Sequence, residues 1–246
     1  MLLLNSDEQL DDLQIGRLKI IQKKKGFKFG TDAVLLSHFA KSIKSDNTLD
    51  LCTGSAIIPL LLSAKTKTPH FSAVEIQSDI ADMAKRSVKL NGLSEKISVY
   101  NEDLKNATDY LKKRQFDLIT CNPPYMRAGS AVPNLTDAKL IARHEVMCTL
   151  EDIIKQASQL VSLTGHFVMV HRPERLCDCI ALMRKYRLEP KRLRFVHKSV
   201  GYAPTLFLID GLYNGKSDLK ILPPLNMYCL DGTTPTGEFL KIYGKI

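Results

Sequence analysis

Between residues 48 and 171 the chain repeats one pattern: a short run rich in β-branched and aromatic residues, then a stretch of helical periodicity, then another such run. The runs are "TLDLC" (48 to 52), "HFSAVE" (70 to 75), "KISVYNED" (96 to 103), "FDLITC" (116 to 121) and "HFVMVH" (166 to 171). Between them lie stretches such as "SDIADMAKRSVKLNGL" and "LEDIIKQASQLVSL". Strands alternating with helices specify a parallel sheet covered by helices on both faces. The 246 residues suffice for one such α/β domain with a core of its own, so a single domain is expected, with 1 to 45 as an N-terminal hairpin and helix and 46 to 246 as the sheet core.

The flanks differ from this repeat. "RLKIIQKKKGFKFG" (17 to 30) reads as a β-hairpin turning at Lys-Lys-Lys-Gly, and "TDAVLLSHFAK" as a helix capped by Thr31 or Asp32. Toward the end, "KRLRFVHK" (191 to 198) and "PTLFLIDGLY" (204 to 213) form an expected antiparallel edge pair, followed by a turn-rich tail with a short strand at 219 to 222. The segment 126 to 148 is a long connection, a length that in compact domains is usually functional or mobile. No internal repeat is present.

Ligands of open parallel sheets bind outside the carboxyl ends of the strands, and four such ends carry polar residues. The most specific is "TCNPPY" (120 to 125). Proline cannot donate to a ladder and fixes its own φ, so the strand stops at Asn122 and leaves that amide on a stiff ledge. The Asn122 side-chain carbonyl and the Pro123 backbone carbonyl offer two acceptors, which suits a planar NH2, and Tyr125 offers a stacking surface for the ring that carries it. At the first strand, Asp50 leads into a turn with Gly54 and then a helix, a layout in which backbone N–H groups meet a nucleotide-like ligand. Glu75 ends the next strand, where a carboxylate accepts from ribose hydroxyls or supports the following helix dipole. Asp103 is either an acceptor for an adenine amino group or the N-cap of the next helix.

The formal charge is +9, and residues 172 to 198 hold nine Lys or Arg against three acids. Such a stripe suits a polyanion or is a solvated helix face. The six cysteines form no C-x-x-C pair and read as structural free thiols, with no ligand cluster for a metal. No window approaches the roughly 20 apolar residues of a membrane span, so the expectation is a cytoplasmic protein without signal peptide or membrane anchor.

Together these motifs resemble class I S-adenosylmethionine-dependent methyltransferases of the amino-methylating kind. More narrowly, "FKFGTDAVLLSHFA" (27 to 40), "LDLCTGSAIIPLLL" (49 to 62), "VEIQSDIADMAKRSVKLNGL" (74 to 93), "FDLITCNPPY" (116 to 125), "ARHE" (142 to 145) and "GHFVMVHRPERL" (165 to 176) are similar to the bacterial tRNA1(Val) adenine-37 N6-methyltransferase family. The resemblance implies a seven-stranded Rossmann-like sheet, mostly parallel with its last strand antiparallel. It implies S-adenosylmethionine held by Thr31, Asp32, Asp50, Gly54, Glu75, Asp103 and Asn122, with chemistry at Asn122, Pro123 and Tyr125. The partner expected is tRNA, its phosphates bound by Lys23, Lys24, Lys25, Arg143, Arg172, Arg192 and Arg194. One residue departs from the family pattern: Ala56 stands where the D-x-x-x-G-x-G turn usually has its second glycine. A Cβ there weakens donor binding if it faces the ligand, so the alternative of another class is a binding module that no longer turns over. Methylation of a protein glutamine amide, or of another nucleic-acid amino group in DNA or rRNA, is the rival enzymatic reading.

Overall fold

The computed structural model describes residues 4–25, 30–124 and 148–245. The repeat read from the sequence becomes β3 (Asn47–Leu51), α2 (Ile57–Lys65), β4 (His70–Val74), α3 (Ser78–Leu90), β5 (Ile97–Tyr100), α4 (Ala107–Tyr110), β6 (Phe116–Cys121), α5 (Leu150–Leu160) and β7 (Val161–His171). Ahead of it stand β1 (Glu8–Asp12), β2 (Lys19–Lys23) and α1 (Thr31–Ala40). After it come α6 (Leu176–Lys185), β8 (Leu188–His197), β9 (Pro204–Tyr213), β10 (Lys220–Ile221), β11 (Leu225–Asn226) and α7 (Gly237–Ile242).

The strands line up in the order β10-β8-β9-β7-β6-β3-β4-β5, with β11 added beside β8. Neighbours from β7 through β5 are parallel, and β9 runs antiparallel to both β7 and β8. Seven long strands, one of them reversed, therefore make the Rossmann-like sheet. The chain leaves β3 toward β4 on one side and returns as β6 on the other, so the crevice of a doubly wound sheet opens at the carboxyl ends of β3 and β6.

Alternation along buried strands fills two cores. In β7, Val168 and Val170 face the cluster that includes Leu35 and Leu36 of α1 and Leu60 of α2. Phe167 and Met169 face the other, with Ile154 of α5 and Met183 of α6. All are essentially inaccessible to solvent, as expected of strands covered on both faces.

The N-terminal hairpin is present, but its arms are displaced from the expected ones. "KIIQK" is the second arm, paired antiparallel with Glu8–Asp12, and residues 26–29 lie outside those described. The first arm carries three acids in five residues and so shows no apolar alternation. What seats it is an ion pair: buried Glu8 meets Arg86 of α3 at 2.6 Å, and the Arg86 guanidinium holds the Glu8 carboxyl down at about 2. The Ser87 hydroxyl accepts the Ile21 N–H at 2.9 Å and locks the other arm to the same helix. Nor do Thr31 and Asp32 cap α1. The N-cap is Gly30, and Asp32 accepts the N–H of Ala33 from within the first turn at 2.9 Å. The Thr149–Asp152 capping box starts α5, and its last helical residue is Leu160, so β7 begins earlier than "HFVMVH" suggests. Among the described residues no helix is long and apolar enough to cross a membrane.

Candidate active site

The turn that follows β3 is built on left-handed backbone: Cys52, Gly54 and Ala56 have φ of 57°, 57° and 66°. Alternating such residues curls the chain so that it leaves the sheet and starts α2 within five positions. Asp50 underlies this turn and does not face the crevice. It is fully buried, and its two oxygens accept the hydroxyls of Thr53 and Thr120, each at 2.6 Å. Burial pushes its carboxyl up to about 7 despite those two bonds. In this structure both oxygens hold the turn to β6, where direct donor contact was the expectation. Ala56 is equally buried, with its methyl in the core that includes α1 and α2, so the missing glycine leaves no Cβ in the crevice.

Glu75, just past β4, ties two strand ends together. One oxygen accepts the Gly54 N–H at 2.9 Å, and the other accepts the Gln77 backbone N–H at 2.9 Å. A Cβ built on Gly54 would meet nothing within 4 Å, so the turn opens outward at this point. The Gln77 side-chain amide donates to the same carboxylate at 3.3 Å, and a carboxylate has about four acceptor positions, which leaves room for one hydroxyl. Asn101, which follows β5, was not singled out by the sequence. Its amide donates to the carbonyls of Glu75 and Ile76 at 2.9 and 3.0 Å, pinning the chain that carries the carboxylate. A lone polar residue after a strand gives no signal in sequence; only the two carbonyls 25 and 26 residues away give it a role. Asp103 is an N-cap: its Oδ1 accepts the Lys105 N–H at 2.9 Å.

Across the crevice, Leu51 and Cys121 are in register, which sets Asn122 at the switch point beside the β3 turn. Asn122 is half-buried, Pro123 buried and Pro124 exposed. Behind the prolines a pocket of about 190 Å³ extends to the start of α5 and to His171 and Arg175 at the end of β7. His171 stacks on Phe207 at 6.3 Å, and its Nδ1 accepts the Arg172 N–H at 2.8 Å, which places the proton of the neutral ring on Nε2. Burial, with Arg175 next, lowers His171 to about 4 and keeps it neutral at physiological pH. A larger cleft, about 630 Å³, lies at the opposite ends of the strands among Ser42, Asp117, His166 and Arg192, remote from the ledge. Tyr125 and Arg143 lie outside the described residues.

The basic residues sort differently from the expectation. Arg192 spans buried Asp210 at 2.7 Å and Ser42 at 2.9 Å, with its guanidinium 4.7 Å from the Phe39 ring. Arg194 is held by Glu238 at 2.8 Å and by the Pro223 carbonyl. Both charges already have a carboxylate partner inside the fold, where free phosphate contacts were the expectation. Lys23 likewise sits between Asp7 and Asp79, at 2.7 and 3.8 Å. Lys24 donates to the Ser6 carbonyl, Lys25 is exposed, and Arg172 reaches the Thr205 carbonyl. The six cysteines are free thiols, with Cys121 and Cys179 buried. Among the described residues no group of three or more His, Cys, Asp or Glu is placed to hold a metal.

Comparison with known proteins matches this arrangement. A predicted O-methyltransferase from Agrobacterium tumefaciens has the same fold, with a TM-score of 0.72 at 20% identity over 87% of this chain and 96% of that one. An S-adenosylmethionine-dependent methyltransferase from Aquifex aeolicus superposes with a TM-score of 0.53 at 11% identity over 74% of this chain and 90% of that one. In sequence, the tRNA1(Val) (adenine(37)-N6)-methyltransferase of Parabacteroides distasonis is 28% identical over 80% of this chain and 81% of its own. The protein of the same name from Bacteroides thetaiotaomicron is 27% identical over 84% and 86%. The methyltransferase small domain model matches residues 21–187, more than half of the sequence, and the chain belongs to that family.

Proposed function

We propose that the protein is an S-adenosylmethionine-dependent methyltransferase that modifies the exocyclic N6 amine of an adenine in tRNA, working in the cytoplasm as a single domain. The observation that carries the reading is the position of Asn122 and Pro123 at the switch point, facing the strand ends where Gly54 and Glu75 meet. The names of the sequence relatives support the substrate. The hairpin, α1 and sheet share one core, which supports the single domain.

The residues fit the donor. The β3 turn offers an open backbone face at Gly54, and Glu75 is a buried carboxylate fixed by two backbone N–H groups. Asp103 stands at the next strand end for the adenine edge, and Thr31 and Asp32 open α1. When bound, S-adenosylmethionine supplies an electrophilic methyl group. The chain's own residues must make the amine a nucleophile, because its lone pair is delocalised into the ring. The Asn122 side-chain carbonyl and the Pro123 carbonyl accept its two hydrogens and turn the lone pair outward, stabilising positive charge as it develops. Such orientation and preorganised electrostatics supply several kcal/mol of a barrier of this kind. Tyr125 holds the unstacked base, a contact worth about 1–3 kcal/mol.

The test is single-turnover methylation of tRNA together with nucleoside mass spectrometry of tRNA from a deletion strain. Asn122→Ala is expected to slow transfer far more than it weakens tRNA or donor binding, since its interaction grows in the transition state. Asn122→Asp retains partial activity, because it keeps an acceptor. Transfer at the wild-type rate by Asn122→Ala, or unchanged N6-methyladenosine in the deletion strain, refutes the reading.

A further inference from the structure

If the expected phosphate contacts Arg192 and Arg194 are consumed by internal ion pairs, something else at the active-site end must meet RNA. The turn between β8 and β9, residues 198 to 203, lies at that end. It is reached from the ledge through a continuous path: the pocket behind Pro123 is walled by His171, and His171 stacks on Phe207 of β9. Arg172 then meets the Thr205 carbonyl, two residues into that strand.

This turn displays what a folded domain normally covers. Val200 is 58% exposed and Tyr202 55%, and Leu230 on the neighbouring turn is 81% exposed. The two turns are held side by side, since the Met227 and Tyr228 N–H groups donate to the carbonyls of His197 and Lys198 at 3.0 and 2.8 Å. Single exposed apolar residues are ordinary, but three gathered at one corner beside a ligand crevice mark a contact surface. The tip is also stiff. His197 Nδ1 lies 2.6 Å from the Tyr202 carbonyl, the Tyr202 N–H donates to the Ser199 carbonyl at 3.2 Å, and Gly201 takes the positive φ of 87° that the bend needs. Lys198 is exposed, lies 5.7 Å from the Tyr202 ring centroid and has no ion pair among the described residues.

We propose that this turn is an RNA-contacting element, in which Tyr202 stacks on an unpaired base near the target and Lys198 meets a backbone phosphate. The proposal rests on the reading of the substrate as RNA. An aromatic ring beside an uncompensated cation is the combination that holds single-stranded nucleic acid, because every base has a π-face and every linkage a negative charge. Rigid presentation lowers the ordering cost of the contact. A second copy of the chain is the other candidate occupant, and the net charge of +9 disfavours it by like-charge repulsion.

The experiment uses the full chain and reads equilibrium tRNA binding by fluorescence anisotropy across a salt series, alongside donor calorimetry and single-turnover rates. Tyr202→Ala is expected to raise the tRNA Kd about tenfold, the size of one lost base stack, with donor affinity and the saturated transfer rate unchanged. Tyr202→Phe binds like the wild type, because stacking needs only the ring. Lys198→Gln lowers the log–log salt slope by about one. Unaltered tRNA binding by Tyr202→Ala, an unaltered slope in Lys198→Gln, or a wild-type dimer in sedimentation that Tyr202→Ala dissociates each overturns the proposal. Because binding is read apart from turnover, a wild-type protein that binds tRNA through the tip yet transfers no methyl to it instead defeats the substrate reading.

Discussion

Glu75 accepts the backbone N–H of Gly54 at 2.9 Å, so a carboxylate from the end of β4 reaches across to fix the turn that leaves β3. The two halves of the proposed donor site are thereby one unit, and Asn101 anchors it from β5.

That coupling makes Glu75 and Asn101 separable by calorimetry. Glu75→Gln removes the charge that the Gly54 and Gln77 N–H groups meet, and is expected to weaken S-adenosylmethionine binding by about 1.5–3 kcal/mol, the range for a hydrogen bond to a charged group. Asn101→Ala leaves the carboxylate in place but frees its backbone. The donor KM should rise while the saturated rate and the tRNA KM stay near wild type. Unchanged donor binding in both variants removes this strand end from the site.

Ala56 sits in left-handed backbone with no solvent exposure. Ala56→Gly relieves roughly 1–2 kcal/mol of αL strain but gives up about 0.8 kcal/mol of buried methyl and adds backbone entropy to the unfolded chain. The expected result is a melting temperature and a donor affinity close to wild type. Ala56→Val puts a β-branched residue at φ of 66° and should be clearly destabilising in thermal melts. A large gain in donor affinity for Ala56→Gly shows that the methyl obstructs the ligand after all.

Arg192→Gln should be a stability variant and not a binding variant. Among the described residues it leaves the buried Asp210 with only His166, at 2.7 Å, as an ion-pair partner. Removing one member of a buried pair typically costs about 3–5 kcal/mol; the partial exposure of Arg192 places this case at or below the low end. Denaturant melts read the loss, and the salt slope of tRNA binding is expected to be unchanged.

Asp50 gives the fold a pH signature. Its carboxyl titrates near 7 in the folded chain against an ordinary value of 3.8, so the folded state holds the extra proton between those values. By linkage its contribution is fully present below about 4 and is lost as pH rises toward 7. Asp50→Asn, which cannot titrate, should flatten that part of the stability profile. Equal slopes for the two proteins in melts from pH 4 to 7 contradict the assignment.

The sheet and the ledge were legible in the sequence because their signals are local. The apolar run in "FDLITC" and the prolines that end it lie within nine residues of one another, 116 to 124. What stayed hidden depends on partners far along the chain. Strand β1 is seated by Glu8 on Arg86, 78 residues away, and has no apolar pattern of its own. Arg192 and Arg194 read as a basic stripe because Asp210 and Glu238 lie 18 and 44 residues further on. Asn101 and α7 gave no periodic signal, the first being one residue and the second six.

Strand β9 lies between β7 and β8 and is the ladder partner of both. During synthesis the ledge at Asn122 therefore leaves the ribosome long before its surroundings can close. Strand β8 has no neighbour to dock on until residues 204 to 213 have been made. Phe207, which supports His171 behind the prolines, arrives in that same strand. A nascent chain halted before this point would lack two adjacent strands at once. The order of the sheet thus acts as a timer, withholding the support behind His171 until residues 204 to 213 have been made.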